Sequence, residues 1–239
     1  MSDPCLLLIE TSTVACSVAI SKGQKILASK SVNEEKAHAR VIAPMTMSLI
    51  TETGIEISEI DAVVVSEGPG SYTGLRVGVS LAKGICYGAG KPLISVSSLE
   101  LLSRLAVEKY RDISIAEGDQ ETVAHIVPMI DARRMEVYSM ICDKEGIPES
   151  AAEAKVLDID SFSDLLSEGR VIFTGDGSFK FKELTKNSNA FFLEIISDAS
   201  GMLKPALEKF RKGKFEDVAY FEPFYLKEFV AGVSKKRMF

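Results

Sequence analysis

A glycine-rich segment in the first third of the chain has the composition of an anion-binding loop. It reads Glu67-Gly68-Pro69-Gly70-Ser71-Tyr72-Thr73-Gly74-Leu75-Arg76 and joins a run of β-branched residues to a helical pattern. Glycines let the backbone approach a ligand closely, and the free N–H groups at the start of a helix favour an anion. Neither the Gly-Lys-Ser/Thr ending of a P-loop nor the GxGxxG dinucleotide fingerprint is present. The loop therefore predicts either a weak phosphate or nucleotide site or a purely structural turn.

Two acidic residues stand at the ends of predicted strands. Glu10 is followed by hydroxyl residues from Thr11 onward, and Asp131 ends a later strand. Carboxylates at strand ends are suited to holding Mg²⁺ between two subdomains, but capping of the hairpin turns explains them equally well. With the Gly175-Asp176-Gly177 turn added, the candidate positions for weak nucleotide or phosphate binding are Glu10, Thr11, Gly68, Gly70, Ser71, Gly74, Asp131, Gly175 and Asp176.

Other kinds of chemistry find little support in the side chains. His38 and His125 are the only histidines, and neither has a second ligand-type residue at helical or hairpin spacing, so we expect no metal site. The four cysteines lie far apart without a CxxC pair, which argues against a disulfide framework and fits a reducing cytoplasm. The sequence contains no pair of a nucleophile and a base that would indicate a peptidase. We expect no catalytic residue.

The elements that must position these residues form an α/β pattern in the first half of the chain. Gly54 follows the first predicted helix in a stop position, and Pro44 either kinks that helix or marks its first turn. The order is β-β-β-α-β-α-β-α, with strands at 5–10, 15–21, 24–32, 62–66 and 93–96 and helices at 37–52, 75–87 and 98–107.

The second half repeats the opening hairpin. Asp131-Ala132-Arg133 occupies the place that Glu10-Thr11-Ser12 holds in the first hairpin. We therefore predict two related subdomains, residues 1–107 and 108–239, with residues 108–121 forming either a polar linker or a surface excursion. The last helix is expected to pack back on the first subdomain. The predicted strands of this half are 122–130, 135–142 and 171–174, and its helices are 161–167 and 200–212.

Composition and charge limit the classes of function. The 239 residues are 46% hydrophobic and 26% charged, which is typical of a soluble globular protein with a sizeable core. The formal net charge of −6 makes the surface poorly suited to holding a nucleic-acid backbone unaided. No apolar run approaches the roughly 20 residues that span a bilayer, and no signal peptide is recognisable. We expect a cytoplasmic protein, and if RNA or DNA is involved in its function, a partner is expected to hold the nucleic acid.

In the helices at 37–52 and 75–87, apolar residues cover more of the helix circumference than a single stripe facing the core requires. Burial of both helices inside the domain would explain this, but the adaptable side chains of Met45 and Met47 favour a partner surface. The residues predicted to form that interface are His38, Val41, Ile42, Met45, Leu49, Leu75, Val79, Lys83 and Tyr87.

At the glycine loop the sequence resembles a known family. The segment from Gly68 to Gly78 is similar to the signature of the bacterial TsaB (YeaZ) family, and Ile9-Glu10-Thr11-Ser12-Thr13 resembles the opening of those proteins. The resemblance extends over almost the whole chain. Further similar segments are Ala15-Cys16-Ser17-Val18-Ala19, His38 with Pro44-Met45, Ile130-Asp131-Ala132-Arg133 with Glu136-Val137-Tyr138, and Glu222-Pro223 with Tyr225-Leu226.

The resemblance implies both a fold and a function. The fold is that of the actin, sugar-kinase and Hsp70 superfamily, with two RNase-H-like subdomains. The function is the formation of N6-threonylcarbamoyladenosine beside the anticodon of tRNA, after a TsaC-type synthase has made threonylcarbamoyl-adenylate. A TsaB-like chain would be a non-catalytic scaffold that pairs with the paralogue TsaD, helps recruit the ATPase TsaE and forms a homodimer when alone. ATP, magnesium and the TsaD metal would then belong to the complex, and this chain would hold no cofactor of its own.

Two positions separate this chain from the transferase paralogue. TsaD-like proteins carry a metal-binding His-x-x-x-His on the helix that follows the strand at 93–96, and the similarity places Ser98 and Leu102 at those positions. Neither side chain replaces an imidazole ligand. In addition, Glu10 stands where many relatives have Asp, so a metal site of the family's geometry is not expected there.

The alternative class is an enzyme of the same superfamily. A stand-alone ATPase or small-molecule kinase would place Glu10 and Asp131 around magnesium. ATP hydrolysis that is lost in Asp131→Asn would distinguish that enzyme from a scaffold.

Overall fold

Two five-stranded sheets organise the chain in the computed structural model, which describes residues 3–117 and 122–227. The first contains β1 (Cys5–Glu10), β2 (Ala15–Lys22), β3 (Lys25–Asn33), β4 (Ala62–Gly68) and β5 (Leu93–Ser97). The second contains β6 (Val123–Asp131), β7 (Glu136–Ser139), β8 (Glu153–Val156), β9 (Arg170–Thr174) and β10 (Ala190–Leu193).

The two sheets share one topology. The first has the order β3-β2-β1-β4-β5 and the second the order β8-β7-β6-β9-β10, so each opening strand lies at the centre. In both sheets the first three strands are antiparallel, and the fourth and fifth join parallel to the first. This repetition confirms the two RNase-H-like subdomains expected from the duplicated hairpin.

The central strand β1 is buried on both faces. Leu6 and Leu8 belong to one hydrophobic cluster, whereas Leu7 and Ile9 belong to another, because successive side chains of a strand point to opposite faces. Helices α1 (His38–Thr53) and α2 (Tyr72–Ala89) cover the face of Leu7 and Ile9. Gly54, with a φ of 67°, ends α1 as the sequence predicts.

A long helix separates the two sheets. Helix α3 (Ser98–Glu117) contributes Leu99, Leu102 and Ala106 to a cluster that also holds residues of both sheets. The sequence-based boundary between residues 107 and 108 therefore lies inside a helix. Residues 108–117 of the expected linker are helical because the apolar pattern of α3 continues along the core, and residues 118–121 lie outside the described part.

Three short elements of the second half were not predicted from the sequence. They are β8, β10 and α5 (Ser178–Leu184), and each is only four to seven residues long. The preceding helix α4 (Ser163–Glu168) and α5 cover the outer face of the second sheet, around Phe173 and Phe181. Such short segments give too few residues for a periodic pattern.

The end of the described chain returns to the first subdomain. Helix α6 (Leu203–Arg211) packs beside β5, and Lys209 donates to the Ser95 carbonyl oxygen at 2.8 Å. Residues 214–227, which we call the C-terminal strap, then cross the first sheet, where the Glu216 N–H donates to the Leu93 carbonyl oxygen at 2.9 Å. None of the described helices is both long and apolar enough to cross a membrane.

Candidate functional site

The glycine loop packs against the turn between β1 and β2. The Ser71 N–H donates to the Ser12 carbonyl oxygen at 2.6 Å. A Cβ at Gly70 would lie 2.2 Å from that same oxygen, and a Cβ at Gly74 would lie 2.2 Å from the carbonyl oxygen of Thr11. These glycines are therefore required by an approach of backbone to backbone within the chain, which is the structural alternative that the sequence left open.

The other side of the loop faces the C-terminal strap. The Phe224 N–H donates to the Glu67 carbonyl oxygen at 2.7 Å. A Cβ at Gly68, whose φ is 114°, would lie 2.6 Å from the Phe224 carbonyl oxygen. The Ser71 hydroxyl caps α2 by accepting from the Gly74 N–H at 3.2 Å. Atoms of this chain thus contact the loop on both sides.

Glu10 lies completely buried beneath the loop. The backbone N–H of Ser12 donates to its Oε1 at 2.7 Å, and the Ser12 hydroxyl donates to the same oxygen. Within the described chain Oε2 has no hydrogen-bond partner. Burial raises the pKa of Glu10, and the hydrogen bonds from Ser12 oppose that rise. The neighbouring Thr11 is also fully buried.

Asp131 and Asp176 are held by the second subdomain. Lys180 forms an ion pair with the Asp131 carboxylate at 2.9 Å, and Asp176 accepts from the Asp131 N–H at 2.9 Å. Gly175, with a φ of 86°, allows a backbone approach to Met129, whose carbonyl oxygen would lie 2.3 Å from an added Cβ. This turn is therefore another close contact within the chain.

These candidate residues do not fit a nucleotide with magnesium. Glu10 is sealed from solvent, and Asp131 already has Lys180 as its counter-ion. Among the described residues no group of three or more His, Cys, Asp and Glu side chains could hold a metal ion. We derive no chemical step through ATP or magnesium at these positions.

Most of the side chains predicted to form the interface are buried within the single chain. His38 has a structural role, since its Nε2 lies 2.9 Å from the Thr13 carbonyl oxygen. Val41 is partly buried, and Lys83 holds the strap through the carbonyl oxygens of residues 219 and 221, at 3.1 and 2.9 Å. Tyr87 alone in the predicted set is strongly exposed, at 88%. The members buried inside the chain are His38, Met45, Leu49, Leu75 and Val79. Ile42 is also buried, but it lines the groove between α1 and α2.

A different set of side chains forms the solvent-facing side of α1 and α2. Met47 is 56% exposed, and a shallow groove of about 380 Å³ runs between the two helices. We call this surface the α1/α2 face. It could have been found from the small residues repeated at intervals of three or four. Its members are Ala39, Ala43 and Met47 of α1 and Thr73, Arg76, Val77, Ser80, Leu81, Gly84 and Tyr87 of α2.

Ser98 and Leu102, which the resemblance places at the two metal-binding histidine positions, lie inside the core. Ser98 opens α3 and is fully buried, and Leu102 is 1% exposed. Leu102 packs in the cluster shared by the two sheets. Neither residue provides a nitrogen ligand.

Comparison with known proteins identifies the family. A family model described as TsaD, tRNA N6-adenosine threonylcarbamoyltransferase, matches residues 25–225. The Escherichia coli protein named tRNA threonylcarbamoyladenosine biosynthesis protein TsaB is 30% identical over 95% of this chain and 96% of its own length. The chain belongs to the TsaB family. The Haemophilus influenzae TsaB is 27% identical, with 95% of each chain covered.

Solved structures agree with this TsaB assignment. YeaZ from Pseudomonas aeruginosa is 25% identical, with a TM-score of 0.73, and the alignment covers 93% of this chain and 100% of that protein. A second Pseudomonas aeruginosa structure, described as similar to peptidase YEAZ, has a TM-score of 0.75 at 24% identity over 94% of this chain and 100% of its own. The likeness of this second structure shows the TsaB fold.

Because the backbone approaches Gly74 closely, we predict that alanine destabilises the chain there but not at an open glycine of the same helix. Gly74→Ala should lower the free energy of unfolding by about 1–3 kcal/mol, because the added methyl group meets the Thr11 carbonyl oxygen. Gly84→Ala in the same helix meets nothing within 4 Å and should raise it by about 0.5–1 kcal/mol. Urea denaturation followed by circular dichroism measures both. Equal stability of the two variants would contradict the loop's dependence on this contact.

Because Glu10 is buried, we predict that Glu10→Gln raises the free energy of unfolding by an amount that depends on pH. The folded chain holds this proton more tightly than the unfolded chain, so ionisation opposes folding as the pH rises above the ordinary pKa of 4.5. The amide still accepts from Ser12 but cannot ionise. The free energy of unfolding of the Glu10→Gln variant, relative to that of the natural chain, should therefore rise between about pH 5 and pH 8. The control is Glu35→Gln at an exposed position, and parallel pH curves for Glu10→Gln and the natural chain would refute the prediction.

Proposed function

We propose that this chain is the scaffold subunit of the complex that forms N6-threonylcarbamoyladenosine next to the anticodon of tRNA. It pairs with TsaD, helps recruit TsaE and depends on a TsaC-type synthase for the activated group. The observation that carries the proposal is the solvent-facing α1/α2 face, in which Met47 and Tyr87 expose large apolar surfaces in a chain of the TsaB family. Exposed apolar side chains grouped on one face favour a protein partner.

The proposal includes no catalysis by this chain. Ser98 and Leu102 replace the two histidines that the transferase paralogue uses, and both are buried. The glycine loop contacts the chain's own turn and strap, so it offers little room for a phosphate. ATP, magnesium and a catalytic metal belong to other subunits of the complex, and this chain has no cofactor of its own.

The same proposal accounts for how an acidic chain acts on RNA. With a net charge of −6 it contacts tRNA only through the complex, where other subunits hold the backbone. It works in the cytoplasm, and in the absence of TsaD the α1/α2 face pairs with a second copy.

Charge substitutions on the α1/α2 face test the pairing. Met47→Glu and Tyr87→Glu should each weaken binding to TsaD from the same cell by at least about tenfold, because a carboxylate is then buried in an apolar contact. Both residues are exposed in the single chain, so neither substitution disturbs its core. Size-exclusion chromatography with light scattering gives the stoichiometry, and titration calorimetry gives the affinity.

Val156→Glu is the matched control, since Val156 is 68% exposed on β8, away from α1 and α2. This variant should bind TsaD like the natural chain. Failure of the natural chain to bind TsaD, even with nucleotide, would overturn the scaffold proposal. Binding that survives both glutamate substitutions would place the contact on another surface.

The alternative, a stand-alone ATPase or kinase, is tested separately. We expect the purified chain to show no ATP hydrolysis above background, and Asp131→Asn to leave that rate unchanged, because the Asp131 carboxylate is paired with Lys180. A phosphate-release assay measures both. Turnover that disappears in Asp131→Asn would establish the enzyme in place of the scaffold.

A further inference from the structure

One arginine of the α1/α2 face is held in a fixed place by aromatic side chains. The Arg76 guanidinium lies 4.1 Å from the centre of the Tyr72 ring, and its Nε donates to the Tyr225 hydroxyl at 3.2 Å. The Tyr72 and Tyr225 rings themselves pack with their centres 4.8 Å apart. Arg76 is exposed and lines the groove between α1 and α2, and its guanidinium has more N–H donors than the bond to Tyr225 uses.

Positive charge accumulates around Arg76 in the described part of the chain. In the part of the chain that the structure describes, no salt bridge joins Arg76 to a carboxylate. Neither α1 nor α2 has an acidic residue in its first turn, so the positive ends of both helix dipoles add to the charge of Arg76. Both helices begin at the same end, because His38 and Ser71 contact the turn between β1 and β2.

The other charged residues of these helices already have partners or other contacts. Arg40 forms a two-pronged ion pair with Glu34, at 2.8 and 2.9 Å. Glu52 is the only acidic residue of α1, it pairs with Lys30 near the opposite end, and α2 has none. A two-fold contact between two copies of α1 and α2 would therefore offer Arg76 only Glu52, whose carboxylate is already paired with Lys30. Burying an unpaired charge is costly.

We propose that Arg76 is the residue that selects the partner of the α1/α2 face, by requiring a carboxylate from the facing chain. The inference rests on the proposed function and specifies its chemistry. The partner presents a helix with apolar residues for the groove and an acidic residue that reaches the N-terminal ends of α1 and α2. A paralogous chain that supplies this carboxylate binds more tightly than a second copy of this chain, whose α1 and α2 provide no unpaired carboxylate.

The C-terminal strap takes part in this selection through Tyr225. The Tyr225 hydroxyl accepts from Nε and so restrains the guanidinium, and this bond does not use the two terminal nitrogens. Tyr225 is therefore a positioning residue and does not itself touch the partner. A guanidinium held in advance loses less side-chain entropy when it meets a carboxylate.

The test compares the two associations of the natural chain and its Arg76 variants. Arg76→Ala should weaken binding to TsaD by at least about tenfold. The affinity of this variant should also depend less on salt between about 50 and 300 mM than the affinity of the natural chain does. The same variant should leave self-association, measured by sedimentation equilibrium, unchanged or tighter. Arg40→Ala is the control, since an exposed pair with Glu34 contributes little, and its affinity should stay within about twofold.

Two further variants guard against a general loss of structure. Arg76→Lys keeps the positive charge but loses the planar group that can donate two parallel hydrogen bonds to a carboxylate. It should bind TsaD with an affinity between those of the natural chain and Arg76→Ala. Tyr225→Phe keeps the ring and loses the hydroxyl, and should weaken TsaD binding about threefold with an unchanged melting temperature.

Two results would overturn the inference while leaving the proposed function in place. One is an unchanged TsaD affinity in Arg76→Ala when Met47→Glu abolishes the complex. The other is an equal weakening of TsaD binding and self-association, which would show that Arg76 does not distinguish the partners. Loss of TsaD binding in Arg76→Ala alone, with self-association intact, supports the inference.

Discussion

The contact between the glycine loop and the turn at Thr11 and Ser12 determines the arrangement of the first subdomain. Carbonyl oxygens of the turn occupy the space that side chains at Gly70 and Gly74 would require. This contact fixes the start of α2, and His38 attaches the start of α1 to the same turn at Thr13. The two helices are thus aligned at one end before any partner is present. The α1/α2 face is a consequence of that alignment.

The C-terminal strap extends this arrangement across the chain. It contacts the loop at Glu67, α2 through Lys83 and Arg76, and the second subdomain through an ion pair between Lys227 and Glu136. Residues far apart in sequence thereby set the position of one guanidinium. The glycine loop, whose composition resembles an anion site, instead connects segments of the same chain, and the proposed partner surface lies on the helices.

Sequence reasoning could predict the central strands and the ends of the helices, because β1 and β4 are continuous apolar runs and Gly54 is a helix stop. It could not orient α1 and α2, since an apolar circumference does not tell which side meets the sheet. Leu49 and Leu75 were therefore expected on the surface and lie in the core. The pairing of Arg76 with Tyr225 joins residues 149 positions apart, which no local spacing reveals. Elements of four to seven residues, such as β10, are too short to show a periodic pattern of apolar residues from which they could be predicted.

Helix α3 has a mechanical consequence for the whole molecule. Leu99, Leu102 and Ala106 pack in a single core with Leu6 and Leu8 of the first sheet and with Ile126 and Ile172 of the second. Because an interior packed at crystal-like density does not slide without opening voids, the two halves cannot rotate about this helix as separate bodies. The chain should therefore unfold as one cooperative unit. A partner that bound the α1/α2 face would therefore contact a single rigid body, without a hinge between its two subdomains.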